Sequence, residues 1–261
     1  MTRPPATRAL LASALSVTAL LTTAGCSIGD EPRPRWFSAS ASATAVSPAV
    51  EQPAGSGAAL TEAQAQAALV TEADLGKPWA PTRGARTWRD GLLKATTEDR
   101  DCQRLLDALY TEEPFGTPKG PQATSALDDG DTDAQLHYRV TAHPPADVDR
   151  TLDWMKSLPG RCGEFTAATT RGGIQSVEVS DLPLPPVGDA RHALRVTLAG
   201  ETEEGELTYL TVDLAAVRVG EETITLTNAG LDEVYAEVTQ QAVQLGSQRL
   251  AEIRKQGRAQ I

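Results

Sequence analysis

The chain of 261 residues has little of what chemistry-bearing proteins usually display. It holds three cysteines, three histidines, two methionines and only 4% aromatic residues. His137, His143 and His192 show no metal-ligand spacing, and once two cysteines are paired none remains for a zinc site. There is no G-x-S-x-G elbow, no phosphate-cradling glycine loop and no close Ser/His/Asp order. The chain therefore reads as non-enzymatic, with no catalytic residue, metal or cofactor assigned. Basic charge is scarce too: the formal net charge is -11, and arginine outnumbers lysine 19 to 5. So acidic a chain repels phosphate backbones and anionic headgroups, which argues against nucleic acid as a partner and against electrostatic membrane binding. Long apolar runs are also missing. The uncharged run from Ala9 to Ala24 has 16 residues, short of the roughly 20 mostly apolar residues that a spanning helix needs.

What that run does offer is an address. Arg3 and Arg8 precede it, and it stops at Thr23-Ala24-Gly25-Cys26, which gives a positive n-region, an apolar h-region and a small-residue cleavage site. A cysteine directly after the small residues has the layout of a bacterial lipoprotein signal, in which that cysteine is acylated and becomes the first mature residue. Thr23 stands where leucine is usual, with Leu20 and Leu21 just upstream. Residues 1–25 are thus expected to be a lipoprotein signal peptide and Cys26 the lipidation site; a plain cleaved signal and an uncleaved anchor are the alternatives. The expected location is the cell membrane, lipid-anchored and facing the extracytoplasmic side. Cysteine parity agrees. With Cys26 acylated, Cys102 and Cys162 remain, and outside the cell an even pair reads as a disulfide.

Residues 26–59 read as a tether. Pro32, Pro34, the alternating Ser38 to Ala43 stretch, Pro48, Pro53 and Gly55-Ser56-Gly57 give no apolar periodicity, so disorder is expected. As a flexible coil the segment would hold the folded part roughly 30 Å from the bilayer. Trp36 and Phe37 are its only aromatics.

Residues 60–261 are expected to form one domain. Thr61 caps an Ala/Gln-rich helix that reaches about Thr71. Trp79 and Trp88 lie in a Pro/Gly/Arg-rich segment outside any helix, as core residues or in a binding loop. A second helix runs from about Glu98 to Tyr110, with Cys102, Leu105, Leu106 and Leu109 on one face. Two strands follow, near Gln122–Leu127 and Gln135–Thr141, joined by the turn at Asp128-Asp129-Gly130-Asp131. Pro144-Pro145 opens a third helix carrying Val148, Leu152 and Met155, which Gly160 should stop just before Cys162. Strand segments then lie near Phe165–Thr170, Ser176–Val179, Leu194–Leu198, Leu207–Val219 and Thr223–Thr227. A last helix runs from about Asp232 to Lys255, with Leu231, Val234, Val238, Ala242 and Leu245 along a stripe. Runs of strands flanked by helices predict an α+β fold, a single domain with a twisted, largely antiparallel sheet packed with helices.

Two acidic clusters look like chemistry and read better as turns. Asp129-x-Asp131-x-Asp133 resembles the start of a calcium loop, but Ala134 and Val140 stand where that pattern needs Gly and Glu. Glu201–Glu206 reads as a charged turn between strands.

Five stretches carry a family resemblance: Leu69-Val70-Thr71-Glu72-Ala73-Asp74-Leu75-Gly76; Asp101-Cys102; Trp154-Met155-Lys156-Ser157-Leu158-Pro159-Gly160-Arg161-Cys162; Val217-Arg218-Val219-Gly220; and the final helix. Together they resemble a group of actinobacterial extracytoplasmic lipoproteins related to the sensor domain of the mycobacterial serine/threonine protein kinase H. The resemblance implies a single sensor-like domain with a twisted antiparallel sheet, and in some members a groove proposed to bind an unidentified ligand. The kinase sensor carries two disulfides where this chain can form one, and no kinase domain or membrane-spanning run is present here. The preferred expectation is a membrane-anchored, non-enzymatic module that binds a small or lipidic ligand or an envelope component. The alternatives are an interaction module that docks on a membrane protein or cell-wall enzyme, and a cell-wall hydrolase with hidden geometry.

Overall fold

The computed structural model describes residues 60–259 apart from Ala85, Thr87, Lys119, residues 202–204 and Asp232. The expected signal peptide, the lipidation site Cys26 and the tether lie outside the described residues. Two short helices open the chain, α1 (Glu62–Ala67) and α2 (Glu72–Leu75). Each starts on a capping box: Thr61 Oγ1 accepts from the Gln64 amide while Gln64 Oε1 accepts from the Thr61 amide, and Thr71 pairs likewise with Asp74. One continuous helix to Thr71 was the sequence expectation. It breaks instead at Ala68-Leu69-Val70, three residues that turn inward and are almost fully buried.

The strands are β1 (Trp79–Pro81), β2 (Ala95–Thr96), β3 (Gln122–Asp129), β4 (Gln135–Ala142), β5 (Glu164–Thr169), β6 (Ile174–Asp181), β7 (Ala190–Glu201), β8 (Leu207–Val219) and β9 (Glu222–Gly230). They form one antiparallel sheet in the order β1-β3-β4-β9-β8-β7-β6-β5-β2. The helices that pack on it are α3 (Arg100–Thr111), α4 (Pro145–Arg161) and α5 (Ala236–Ala259). A single π-turn, Arg89–Leu93, precedes β2. The fold is thus the α+β arrangement that the strand and helix runs imply.

Side-chain alternation gives the sheet two faces, each with its own apolar cluster. On the first face Val177, Leu198, Leu210 and Ala229 meet Leu105, Leu109, Leu152 and Met155 of α3 and α4. On the second face Leu136, Tyr138, Val217 and Leu226 meet Ala65 of α1 and Ala242, Val243 and Leu250 of α5. Strand β9 lies between both clusters, and all nine of its residues are buried. On the second face α5 sits unusually close to the sheet. A Cβ at Gly246 would lie 1.8 Å from the Tyr138 hydroxyl oxygen, so only glycine permits the approach.

Two helix boundaries depart from expectation. Gly160 does not stop α4, which continues through Pro159 and Gly160 to Arg161. Leu158 and Cys162 are both fully buried, and the Cys162 amide still donates to the Leu158 carbonyl at 2.6 Å, so packing holds the last turn against local preference. The last helix begins at Ala236, not Asp232, and Leu231 remains exposed outside its stripe.

Candidate functional site

The two faces are covered differently, and the difference creates the site. On the second face polar groups at the helix–sheet junction are tied together. Arg195 donates to both Asp213 carboxylate oxygens at 2.7 and 2.9 Å and to the Val234 carbonyl at 3.0 Å. Thr239 of α5 donates to the same carboxylate at 3.0 Å. Arg249 of α5 binds Asp74 and the Leu69 carbonyl, and Arg254 pairs with Glu222. The Arg249 hydrogen bond, opposed by burial, holds the Asp74 carboxyl at about 2.

On the first face α4 lies over β6, β7 and β8, and α3 packs against α4, the π-turn and β2. Cys102 near the start of α3 and Cys162 at the end of α4 are joined by a disulfide, with Cα atoms 5.6 Å apart. Trp154 of α4 is nearly buried and carries the Arg104 guanidinium 3.8 Å from its ring centroid. Burial there lowers the pKa of Arg104.

Beyond the helices, one end of the first face is a groove of about 600 Å³. Its floor continues the apolar rows: after Val177 on β6 comes Gln175, after Leu198 on β7 comes Gly200, and after Leu210 on β8 comes Thr208. Gly200 sits where its neighbours carry side chains, and the missing side chain leaves the floor open. A Cβ there would meet the Gln175 Cβ at 3.5 Å and both Gln175 Oε1 and Leu92 Cδ2 at 4.0 Å, all ordinary contacts. The roof is the π-turn with Trp88 at its start and Leu92 within it. Gln175 Nε2 donates to the Leu92 carbonyl at 2.8 Å and pins the turn to β6. A carbonyl can only accept, so this bond fixes which end of the amide is which. It leaves Gln175 Oε1 buried without a partner, and Trp88 Nε1 is in the same state. Gln175 is 1% exposed and Trp88 7%.

The groove mouth has a further property. The exposed large hydrophobic residues among those described are Ile174, Leu207, Tyr209, Leu231 and Tyr235. Of the five, Ile174 and Leu231 line the groove, while Leu207 and Tyr209 flank Thr208 on β8 and so belong to the second face.

The other end of the first face is a smaller bay of about 230 Å³, lined by Glu112, Thr124, His137, Arg139, Thr225 and Thr227 among others. Here charge is paired. Glu112 caps α3 in the left-handed region, at φ 58°. Its carboxylate accepts from Arg89 at 2.7 Å, from His137 Nδ1 at 2.8 Å and from the Thr227 hydroxyl at 3.0 Å. Arg139 pairs with Glu113 at 2.7 Å. Burial alone would raise the pKa of Glu112, but the imidazole and the guanidinium outweigh it and hold the carboxyl down at about 2. A carboxylate-oriented imidazole is half of a hydrolytic triad. Among the described residues no hydroxyl meets the other imidazole nitrogen: His137 Nε2 is buried without a partner, the Thr227 hydroxyl donates to Glu112, and Ser125, whose Oγ donates to Val70, belongs to the opposite face.

The other sequence candidates separate accordingly. Trp79 and Trp88 are both buried and join the second and first clusters respectively, so the core reading holds for each, and Trp88 also walls the groove. The three histidines do not come together: His143 stacks near Phe115 at 5.6 Å between centroids, and His192 lies 3.3 Å from Asp181. Burial lowers the pKa of both. The calcium-like stretch is a turn, in which Asp129 Oδ1 accepts from the Asp131 and Thr132 amides. Residues 202–204 of the Glu201–Glu206 cluster lie outside the described residues. Sequence reasoning missed Gln175, Gly200, Glu112 and the π-turn. Only Gly200, an isolated glycine in a strand pattern, carried a local signal.

Among the described residues no helix is long and apolar enough to cross a membrane. No protein-family model matches the chain, and no curated protein matches it. Among solved structures the chain is similar to the extracellular domain of PknH from Mycobacterium tuberculosis. The match has 19% identity and a TM-score of 0.46, and covers 75% of this chain and 97% of that one.

Proposed function

We propose that this protein is a lipoprotein acylated at Cys26, facing the extracytoplasmic side of the cell membrane, whose folded part binds a small or lipidic ligand without transforming it. The groove under Trp88 carries the reading. It combines an open floor at Gly200, a buried donor and a buried acceptor without partners, and apolar side chains at its mouth. Ligand sites combine a concavity with apolar walls and placed polar groups; here Trp88, Leu92, Ile174 and Leu231 supply the apolar part, and Gln175 and Thr208 polar groups of the floor. The bay at the other end supports the non-enzymatic part, because among the described residues no hydroxyl is hydrogen-bonded to His137 Nε2. The signal layout at Thr23-Ala24-Gly25-Cys26 supports the anchor.

The test is mass spectrometry of molecules that co-purify with the full chain and with Gly200→Val, whose side chain fills the groove floor. A small molecule retained by the wild type and lost from the variant is expected; identical sets from both would refute the binding site. Radioactive palmitate should label the wild type and not Cys26→Ala, and equal labelling would overturn the anchor. One observation favours a second reading, docking on an envelope protein: Leu207 and Tyr209 are exposed yet do not line the groove. Under that reading Leu207→Ser would abolish partner capture while leaving retained small molecules unchanged.

A further inference from the structure

We infer that the groove takes a neutral ligand built on a secondary amide with an apolar group beside it. The inference rests on the binding reading above and adds the chemistry of the occupant. Buried polar groups in folded proteins are nearly always paired, and an orphan costs its full desolvation. Here the two orphans are complementary. Trp88 Nε1–H can only donate, and Gln175 Oε1 can only accept. Water could serve either atom singly, but a secondary amide offers both partners on one planar group: its carbonyl oxygen accepts from Trp88 and its N–H donates to Gln175.

Trp88 and Gln175 both line the groove, and neither polar atom touches solvent. The floor at Gly200 leads to the Gln175 oxygen: the space for a Cβ there lies 4.0 Å from both Gln175 Oε1 and Leu92 Cδ2. An amide entering there displaces the Leu92 side chain, which is only half-buried, and leaves the bond from Gln175 Nε2 to the Leu92 carbonyl in place. The group flanking the amide then lies toward Ile174, 67% exposed, and Leu231, 40% exposed. The lining holds Arg171 and Glu201, one charge of each sign, so it selects no net charge on the ligand. A charged headgroup or a sugar would leave Ile174 and Leu231 uncovered, and a plain hydrocarbon would leave both buried atoms unpaired. The shared chemistry fits a short apolar peptide or an N-acyl amine.

Three probes separate these cases: N-acetyl-leucine N-methylamide, N-butylhexanamide, and butyl hexanoate, which is the ester isostere of the second. Each is titrated into the full chain with the indole N–H resonances followed by nitrogen–proton NMR, the Trp88 signal being assigned by its loss in Trp88→Phe. Both amides should bind saturably and move the Trp88 indole proton downfield, with the ester at least about tenfold weaker. The tighter amide names the source, peptide or acyl amine. Trp88→Phe, which keeps the apolar wall and removes the donor, should weaken both amides about tenfold and leave the ester unchanged. An ester that binds as tightly as the amides overturns the amide inference while the groove remains a binding site. If no probe moves the Trp88 signal, the inference fails; if Gly200→Val and wild type also retain the same molecules on purification, the binding reading fails with it.

Discussion

On the second face of the sheet, a 24-residue helix runs over β8 and β9, and the acids at its junctions, Asp213, Asp74 and Glu222, each meet an arginine. The first face is covered by helices of 12 and 17 residues tied by a disulfide, and both of its ends stay open. Those ends differ again: the bay gathers Arg89, Thr227 and one nitrogen of His137 on the Glu112 carboxylate and leaves His137 Nε2 unpaired, while the groove keeps both a donor and an acceptor unspent beside apolar side chains. Paired charge marks where the molecule is held. Unpaired polarity next to exposed hydrocarbon marks the site proposed to bind.

Reducing the disulfide should strain this contrast most. The bond closes a loop of 60 residues, which in the chain-entropy model stabilises by about 4 kcal/mol. Hydrogen exchange on the reduced protein should show amides of α3 and α4 losing protection before those of α5. Simultaneous loss on both faces would mean that the two covers are one cooperative unit.

Glu112→Ala comes next, at about 3 kcal/mol, because it strands Arg89 and His137 without their shared anion. Its acid dependence has a definite sign. The folded carboxyl titrates near 2 and the unpaired group near 4.5, so this contribution is complete above about pH 4.5 and disappears as pH falls toward 2. Thermal melts across that window should be flatter in Glu112→Gln than in the wild type. An unchanged acid limb would show that the pairing in the bay is not what holds α3 to β4 and β9.

Gly246→Ala tests the sealed face. A Cβ placed 1.8 Å from the Tyr138 oxygen must push α5 outward or twist a fully buried ring, an overpacking cost of about 2 kcal/mol. Calorimetry should find a lower melting temperature, with the small molecules retained on purification unchanged from the wild type. The smallest stability effect belongs to Gly200→Val. Its Cβ meets only ordinary contacts although the site is buried, so the loss of stability should stay below that of Gly246→Ala, about 1 kcal/mol in chemical denaturation, while retention of small molecules is lost. A large destabilisation there would mean that Gly200 serves the fold and not the groove.

The parts of this molecule legible in the sequence are those with a period. Leu105, Leu106 and Leu109 announce α3, and Leu136, Tyr138 and Val140 announce β4 with its buried face. The pairing of Cys102 with Cys162 followed from parity. What lacked a period was missed: β1 and β2 are three and two residues long, and a five-residue π-turn has no apolar rhythm. The groove was hidden for a different reason. Gln175, Gly200 and Thr208 belong to three strands and become neighbours only through the β6–β7 and β7–β8 registers. Glu112 meets Arg89 and His137 across 23 and 25 residues, a distance that no local window spans. Pro159-Gly160 misled in the opposite direction, since a strong local stop signal yields when the residues after it are needed in the core.

The short strands at the margins have a consequence beyond the site. A sheet nine strands wide would ordinarily offer long rows of unpaired amides to a neighbour. Here the outermost strands are β1, three residues ending in Pro81, and β2, two residues. Proline has no amide to donate, and two residues are too few to template a strand from another chain. Copies crowded together therefore find the ladder broken at its margins, and the stretches left open to a neighbour's strand are those that β1 and β2 do not cover, Gln122–Ser125 of β3 and Glu164–Ala167 of β5.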